Sequence, residues 1–520
     1  MKKIFLILIA AFMMAVSLPG FFSSITGMFG FGIFLFVIKD EKKIKATLYG
    51  FLFGMFYFMA GFSWIVSAFV KEIPNVFETM PPFMGFLIYL LLCFYESLFF
   101  ALYGLIFSFF RKKCKNSKIL FILLSSLTLI ATELLRAAGP MGFTGIRFSD
   151  SLYNHTGMLQ LNSIIGPYGL LFIIGIVNSV FSLSIEEYVK NSAKHNFKEK
   201  KKLQKIFLPM ILIVLIFYCS DSLITSTLPP LFPDNQEKID VVAVQSMTPG
   251  KKKHYSTEEV FLDDFKNSME SIYSEYDIKP DLIVFPEAFF MYDIYTYKKT
   301  KEALARISDK YDVKVAVPSL AVLNNDFYNA VRFVEPEKGV SEKFYAKIRL
   351  NPFTEFLPFE EIFRFLEFLK FARFMKSGND YLTFNVKNSN IAFPICFEAF
   401  YPEVFEQFNA NGTDVYMIVT NDGYFDNYTA LIQHFSQLNF RAVENRCWFL
   451  HVSNNGITGL IDPYGRVVKT IDPFAEKTGL FSIPEDNSIY SVSYSDYRSV
   501  FLIFLVCIII GFYVFLIVIK

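Results

Sequence analysis

Eight long apolar runs constrain this chain more than any other feature, at 4–18, 21–38, 46–70, 82–110, 119–136, 164–185, 207–227 and 499–519. A helix needs about 20 apolar residues to cross the bilayer core, and most of the runs reach or approach that length. The expected fold is therefore a membrane bundle of eight transmembrane helices with a soluble portion between the seventh and the eighth. The first run is short and follows Lys2 and Lys3. It reads as a helix or as a cleaved signal peptide, and the second apolar run close behind it favours the helix. Composition agrees with a membrane protein. Hydrophobic residues make up 53% and charged residues 19%, where a soluble chain carries about 25% charge. Disorder is excluded by the same figures. With 50 Lys+Arg against 49 Asp+Glu there is no basic field for nucleic acid.

Loop charges orient the bundle. Lys39, Lys42, Lys43 and Lys45 follow the second run, Arg111, Lys112, Lys113, Lys115 and Lys118 follow the fourth, and a basic cluster from Lys190 to Lys205 follows the sixth. The alternate loops hold little: Lys71 in 71–81 and Arg147 in 137–163. Because basic loops stay on the cytoplasmic side, the amino terminus is expected inside. Residues after 228 are then outside, and Lys520 returns to the cytoplasm. The expected division is 1–228 for seven helices, 229–490 for the outer domain and 491–520 for the last helix.

Ionisable groups within the apolar runs are functional candidates by default. Here they are Glu96, Glu133 and Arg136. Glu133 and Arg136, three apart, also suit a simple pair on one helix face. Neither charged relay chains nor matched broken segments mark the bundle as a transporter.

Residues 236–490 read as one α/β domain. Strand-like runs recur at Ile239–Gln245, Asp281–Phe285, Val313–Pro318, Tyr328–Val334, Asn390–Ile395, Asp414–Thr420 and Trp448–Ser453. Helix-period stretches lie between several of them, at 256–276, 299–310 and 429–446, implying a sheet with helices packed on it. Leu223–Gln236, with Pro229, Pro230 and Pro233, reads as the linker from the membrane.

Of the six cysteines, Cys396 and Cys447 lie in this domain. They are candidates for a disulfide outside the cytoplasm, but Cys396 has another use. It follows a strand directly, at a turn where a nucleophile is presented and backbone N–H groups can meet an oxyanion. A buried inert thiol is the alternative. A reactive thiol needs a proton acceptor and a group that stabilises negative charge. Glu287 ends the apolar strand Asp281-Leu-Ile-Val-Phe-Pro-Glu287, and Lys347 stands eight residues before Glu355. A carboxylate alone beside the thiol would oppose the thiolate, and the lysine offsets that repulsion.

The segments Phe285-Pro-Glu287, Tyr345-Ala-Lys347 and Ile395-Cys396-Phe-Glu398, with Thr420-Asn-Asp422 after them, resemble the nitrilase (carbon–nitrogen hydrolase) superfamily. That resemblance implies an αββα sandwich and a Glu–Lys–Cys triad. Together with the helices, Thr132-Glu-Leu-Leu-Arg136, Gly142-Phe-Thr-Gly145, Asn351-Pro-Phe-Thr-Glu355 and Arg441-Ala-Val-Glu444 leading into Ser453-Asn-Asn-Gly456, the whole chain resembles the apolipoprotein N-acyltransferase family. The resemblance implies a bacterial inner-membrane enzyme with its catalytic domain on the periplasmic side and no cofactor. Its acyl donor is a phospholipid and its acceptor a diacylglyceryl apolipoprotein, acylated in ping-pong fashion through a thioester. By the same resemblance Cys396 is the nucleophile and Glu287 the general base. Lys347 and the N–H of Phe397 serve the oxyanion, and Glu355 and Glu398 position Lys347 or the amine.

Lipid substrates call for a site at the bilayer surface. Segment 359–376, where charges alternate with Phe and Leu, suits an interfacial amphipathic helix or a helix packed on the domain. Ala288–Tyr297 is a second aromatic stretch. Two departures stand out: Phe397 replaces the family's usual Tyr, and Lys253-His254-Tyr255 stands where Trp is common. Other readings are a membrane-tethered amidase, a scaffold with a degenerate domain, and a Cys–His hydrolase using His434 or His451. No His/Cys/Asp cluster stands at metal-ligand spacing, and no glycine-rich phosphate loop is present.

Overall fold

The computed structural model describes residues 1–76, 81–114, 117–192, 200–232, 237–248, 256–363, 375–485 and 493–518. Most of 359–376, the Lys253-His254-Tyr255 stretch and 193–199 of the third basic cluster lie outside the described residues. The chain divides into two units, one of Met1–Phe69, Phe83–Leu228 and Tyr497–Lys520, the other of Val70–Pro82 and Pro229–Asp496.

The first unit is helical: α1 (Lys2–Ala15), α2 (Gly30–Ile38), α3 (Lys43–Gly61), α4 (Pro82–Arg111), α5 (Lys118–Arg136), α6 (Asn162–Ser192), α7 (Lys200–Thr227) and the C-terminal helix Tyr494–Val518. Among the described residues six helices are long and apolar enough to cross a membrane, against the eight expected, which makes this a multi-pass membrane protein. The first two apolar runs form the shorter helices α1 and α2. Small residues let helices α3 and α4 meet closely, as in membrane bundles generally. A Cβ at Gly50 would lie 2.1 Å from the Phe100 carbonyl oxygen, and one at Gly104 2.2 Å from that of Ala46. Arg136 is fully buried and bonds Glu133 at 2.8 Å, Glu96 at 3.3 Å and the Gly145 carbonyl at 3.0 Å. The pairing of Glu133 with Arg136 expected from their spacing is present, and Glu96 joins it from α4.

The second unit holds two sheets. The first contains β1 (Lys238–Gln245), β2 (Leu282–Val284), β3 (Phe290–Asp293), β4 (Lys314–Leu323), β5 (Asp326–Glu335) and β6 (Gly339–Ala346). The second contains β7 (Thr383–Val386), β8 (Ser389–Ala392), β9 (Val415–Thr420), β10 (Trp448–Ser453), β11 (Thr458–Ile461) and β12 (Val467–Ile471). Strand β13 (Lys477–Pro484) returns to the first sheet beside β1. The order is β13-β1-β2-β4-β5-β6 in one sheet, with β3 on β4, and β12-β11-β10-β9-β8-β7 in the other.

Alternation along β1 explains the layering. Val241 and Ala243 face the second sheet in one core with Ile391, Val419 and Leu450. Val242 and Val244 face the opposite way, against Phe261, Phe265 and Met269 of α8 (Glu258–Glu275) and Leu304 of α9 (Lys298–Tyr311). Both faces of the strand are therefore apolar, as in sheets covered on both sides. Helices α10 (Pro402–Ala410) and α11 (Tyr428–Asn445) contribute Phe405, Leu431 and Leu438 to the core on the second sheet. The layers are helix, sheet, sheet, helix, which is the expected nitrilase-like α/β architecture. The strand read at Asn390–Ile395 ends earlier, at Ala392, and Ile395 keeps one parallel bridge to Val419. The cysteines at 396 and 447 are free thiols, not a disulfide.

Candidate active site

Each residue of the expected triad stands just beyond a strand end. Glu287 follows β2, Lys347 follows β6, and Cys396 lies four residues past β8. Backbone strain marks two of these places. Cys396 has φ 52° and Ala288, next to Glu287, φ 51°. A non-glycine residue held there costs energy that the surrounding contacts must offset.

Lys347 is fully buried and lies among carboxylates. Its Nζ is 3.0 Å from Oε1 and 2.9 Å from Oε2 of Glu355, and 3.6 Å from Oε1 of Glu287. Burial works against its charge, but the neighbouring Glu355 and Glu287 prevail and hold the lysine pKa above its ordinary value. Glu287 is itself fixed from two sides, accepting from Asn329 Nδ2 and from the Asn421 backbone N–H, both at 2.8 Å. Asn329 also donates to Glu355 at 2.9 Å. It therefore bridges the two acids that flank the lysine.

Cys396 is half-buried, with part of its surface open. Burial pushes its thiol well up, and the Glu287 charge adds to this. The Lys347 charge and the Thr420 hydroxyl act in the opposite direction. A thiol raised in this way needs a proton acceptor before it can act as a nucleophile.

Glu398 meets the backbone on either side of the site. Its oxygens accept from the backbone N–H groups of Ile348, Arg349 and Ile395 and from the Tyr345 hydroxyl, at 2.7–2.8 Å and, for Arg349, 3.1 Å. Its partners are the chains bearing Lys347 and Cys396, not the ammonium itself. Burial raises its pKa against the effect of these donors. Glu355, by contrast, contacts the Lys347 ammonium directly. Phe397 packs its ring against Phe400 and Tyr401.

The sequence singles out neither Asn329 nor the pairing of His434 with Asp422 behind the nucleophile. Asn329 has one signal, a polar residue set between Tyr328 and the apolar Ala330 and Val331 of a strand-like run. His434 Nδ1 lies 2.9 Å from Oδ1 of Asp422, and its Nε2 lies 3.2 Å from the Cys396 carbonyl oxygen. His434 faces the backbone of Cys396, with both nitrogens engaged, which argues against a Cys–His base. His451 Nδ1 is 2.6 Å from the Ile457 carbonyl oxygen.

One correction concerns metals. Spacing offered no ligand cluster, yet the fold gathers Asp422, His434 and His451, with ligating atoms within 4.8 Å of one another. This is the one such group among the described residues. The direct Asp422–His434 contact and the Ser453 hydroxyl 2.8 Å from Oδ2 of Asp422 are those of a hydrogen-bonded ion pair. The pKa directions fit: Asp422 is lowered despite its burial, and His434 is raised despite its own, each by the other's charge.

The family model described as Apolipoprotein N-acyltransferase N-terminal domain matches residues 10–180, and the Carbon-nitrogen hydrolase model matches 242–487. A relative from Thermotoga maritima, named apolipoprotein N-acyltransferase, is 31% identical over 95% of this chain and 90% of its own. The chain belongs to the apolipoprotein N-acyltransferase family. A namesake from Rickettsia typhi is 29% identical, covering 87% of this chain and 86% of its own. Among solved structures, Saccharomyces cerevisiae Nit3 of the nitrilase superfamily superposes with a TM-score of 0.38 at 17% identity, over 49% of this chain and 93% of its own.

Proposed function

We propose that this protein acylates the α-amino group of the diacylglyceryl-cysteine at the amino terminus of apolipoproteins, using a phospholipid as donor. The observation that carries the reading is the clustering of Lys347 with Glu287 and Glu355, with the Glu287 and Lys347 charges both acting on the Cys396 thiol. Glu287 takes the thiol proton as sulfur attacks the phospholipid ester carbonyl. Lys347 and the Phe397 N–H stabilise the tetrahedral oxyanion. The C–O bond then breaks, the lysophospholipid leaves with the proton from Glu287, and an acyl thioester remains. The acceptor amine attacks that thioester, Glu287 takes its proton, and the thiol is restored by the same proton. The two half-reactions at one thiol are ping-pong chemistry.

In the same reading α1 and α2 cross the membrane as well, giving eight spans. Residues 1–228 carry seven of them, 229–490 form the catalytic domain on the periplasmic side of the inner membrane, and 491–520 carry the last. The test is incubation of the purified protein with phospholipid vesicles, followed by mass spectrometry of the Cys396 peptide. A fatty-acyl thioester that disappears on adding a diacylglyceryl-cysteine peptide is expected. Labelling by small amides alone would instead favour a membrane-tethered amidase.

A further inference from the structure

A second chain of nucleophile, base and acid lies wholly within the helical unit. Ser24 Oγ is 2.7 Å from Nε2 of His155, and Nδ1 of the same ring is 3.3 Å from Oδ2 of Asp221. Ser24 opens a short turn between α1 and α2, His155 precedes the turn Thr156–Leu159, and Asp221 belongs to α7. One imidazole thus links a hydroxyl to a carboxylate through its two nitrogens, the arrangement that activates a serine.

The imidazole and carboxylate are held in place independently of Ser24. The other oxygen of Asp221 accepts from the Met158 N–H at 2.9 Å. His155 is buried, with its ring edge-on to Phe217 and Tyr218 at 4.8 and 5.5 Å. Ser24, by contrast, is partly exposed, and it lines a cleft of about 190 Å³ whose walls combine Leu18, Phe21 and Tyr218 with Ser17, Ser23 and Asn154. The hydroxyl is therefore reachable from the cleft, while its two partners are packed behind it.

The cleft sets the substrate class. Its volume is below the roughly 300–1,000 Å³ of ordinary small-molecule pockets, so it takes the reacting end of a molecule and leaves the remainder outside. Beside the rings the cleft exposes mainly polar atoms, with Ser17, Ser23 and Asn154 in its walls, so it suits a short ester end rather than a long acyl chain. We propose that Ser24, His155 and Asp221 form a second catalytic site that hydrolyses short carboxylic esters.

His155 Nε2 takes the Ser24 proton as Oγ bonds to the ester carbonyl carbon. The bond from that carbon to the alcohol oxygen breaks, and the alcohol leaves with the proton from His155. Water then attacks the Ser24 ester, giving its proton to His155. The acyl–Oγ bond breaks, Ser24 recovers the proton, and the carboxylic acid departs. One ester and one water become one acid and one alcohol. Asp221 orients the ring and stabilises its charged form.

The chemistry is independent of Cys396, so it is tested on the full chain carrying Cys396→Ala, purified in detergent. An alkyl fluorophosphonate is added and the modified peptide is located by mass spectrometry. The expected result is a covalent adduct on Ser24, formed roughly 100-fold or more slowly in His155→Gln, in keeping with the loss of a triad base. Hydrolysis of p-nitrophenyl butanoate should disappear in Ser24→Ala. Absence of a Ser24 adduct on the helical, monodisperse chain overturns the proposal without recourse to any variant. So does an adduct that forms as fast in His155→Gln, or undiminished ester hydrolysis in Ser24→Ala. The Cys396 thioester, measured separately in Ser24→Ala with Cys396 intact, should be unchanged, so the two readings stand or fall apart.

Discussion

The Nε2 of His434 lies 3.2 Å from the backbone carbonyl oxygen of Cys396. Because its Nδ1 is paired with Asp422 at 2.9 Å, the ring can donate from both nitrogens only as an imidazolium. A buried ion pair thereby holds the left-handed turn that presents the thiol. Replacing His434 by Ala leaves the Asp422 charge buried without its partner, which typically costs about 3–5 kcal/mol. The double variant Asp422→Asn/His434→Gln should regain most of the lost thermal stability. Its rate of thioester formation should stay roughly ten- to a hundredfold low, the value of one charge-assisted hydrogen bond. Recovery of both rate and stability would mean that the pair only supports the fold.

The same pair sets a pH window for stability. His434 has its pKa raised, so its contribution is fully present below the unfolded value, 6.5, and is lost as pH rises through the folded value. Asp422 has its pKa lowered, so its contribution is present above the unfolded value, 3.8, and is lost as pH falls through the folded value. Unfolding followed by intrinsic fluorescence should show a stability loss on each side that is absent from Asp422→Asn/His434→Gln.

Alkylation by iodoacetamide reports the Cys396 thiol. Burial and the Glu287 charge raise its pKa, and the Lys347 charge lowers it. The rate at Cys396 should therefore climb with pH at values above those of an ordinary exposed thiol. Lys347→Met should move the climb higher still, and Glu287→Gln should move it lower. Acyl transfer should nevertheless fall in both variants, by roughly 10²–10³-fold for loss of the oxyanion-stabilising lysine.

Glu398 is the acceptor for three backbone N–H groups and a tyrosine hydroxyl. Glu398→Ala strands these donors, each buried unmet group costing about 1–3 kcal/mol. A large fall in melting temperature is expected. Tyr345→Phe removes only one donor, so its fall should be much smaller.

In the helical unit Arg136 joins Glu96 and Glu133. Arg136→Met should destabilise the protein strongly by leaving two acids unpaired, and adding Glu96→Gln and Glu133→Gln should restore much of the loss. Detergent-resistant folding measured by retained elution volume after heating distinguishes the three proteins.

Much of this was legible from one dimension. Strand β1 reads as a buried strand because Val241 to Val244 are apolar without interruption, and α11 because its apolar residues recur with helical period. Strands β3, β6, β7, β11, β12 and β13 are not legible in the sequence: β3, β7 and β11 are four residues long, and β6, β12 and β13 carry lysines and other polar residues that break the apolar run. Cys396 and Glu287 stand out because reactive or charged residues at the ends of apolar strands are chemically conspicuous, and Lys347 because a second acid, Glu355, stands close to it in the chain. Asn329 does not, because its meaning depends on the two glutamates that it bridges.

What the sequence determined by itself was the hydrophobic layout: long apolar runs separated by charged loops, then alternating strands and helices. Such patterns are local, since burial preference and helical or strand period act between residues close in the chain. Tertiary structure alone decided which polar groups meet. His434 reaches the carbonyl of Cys396 across 38 residues, and Ser24 reaches His155 across 131. Hydrogen bonds and ion pairs act over a few ångströms and depend on direction. Separations of this kind in the chain carry no trace of them until the core has packed.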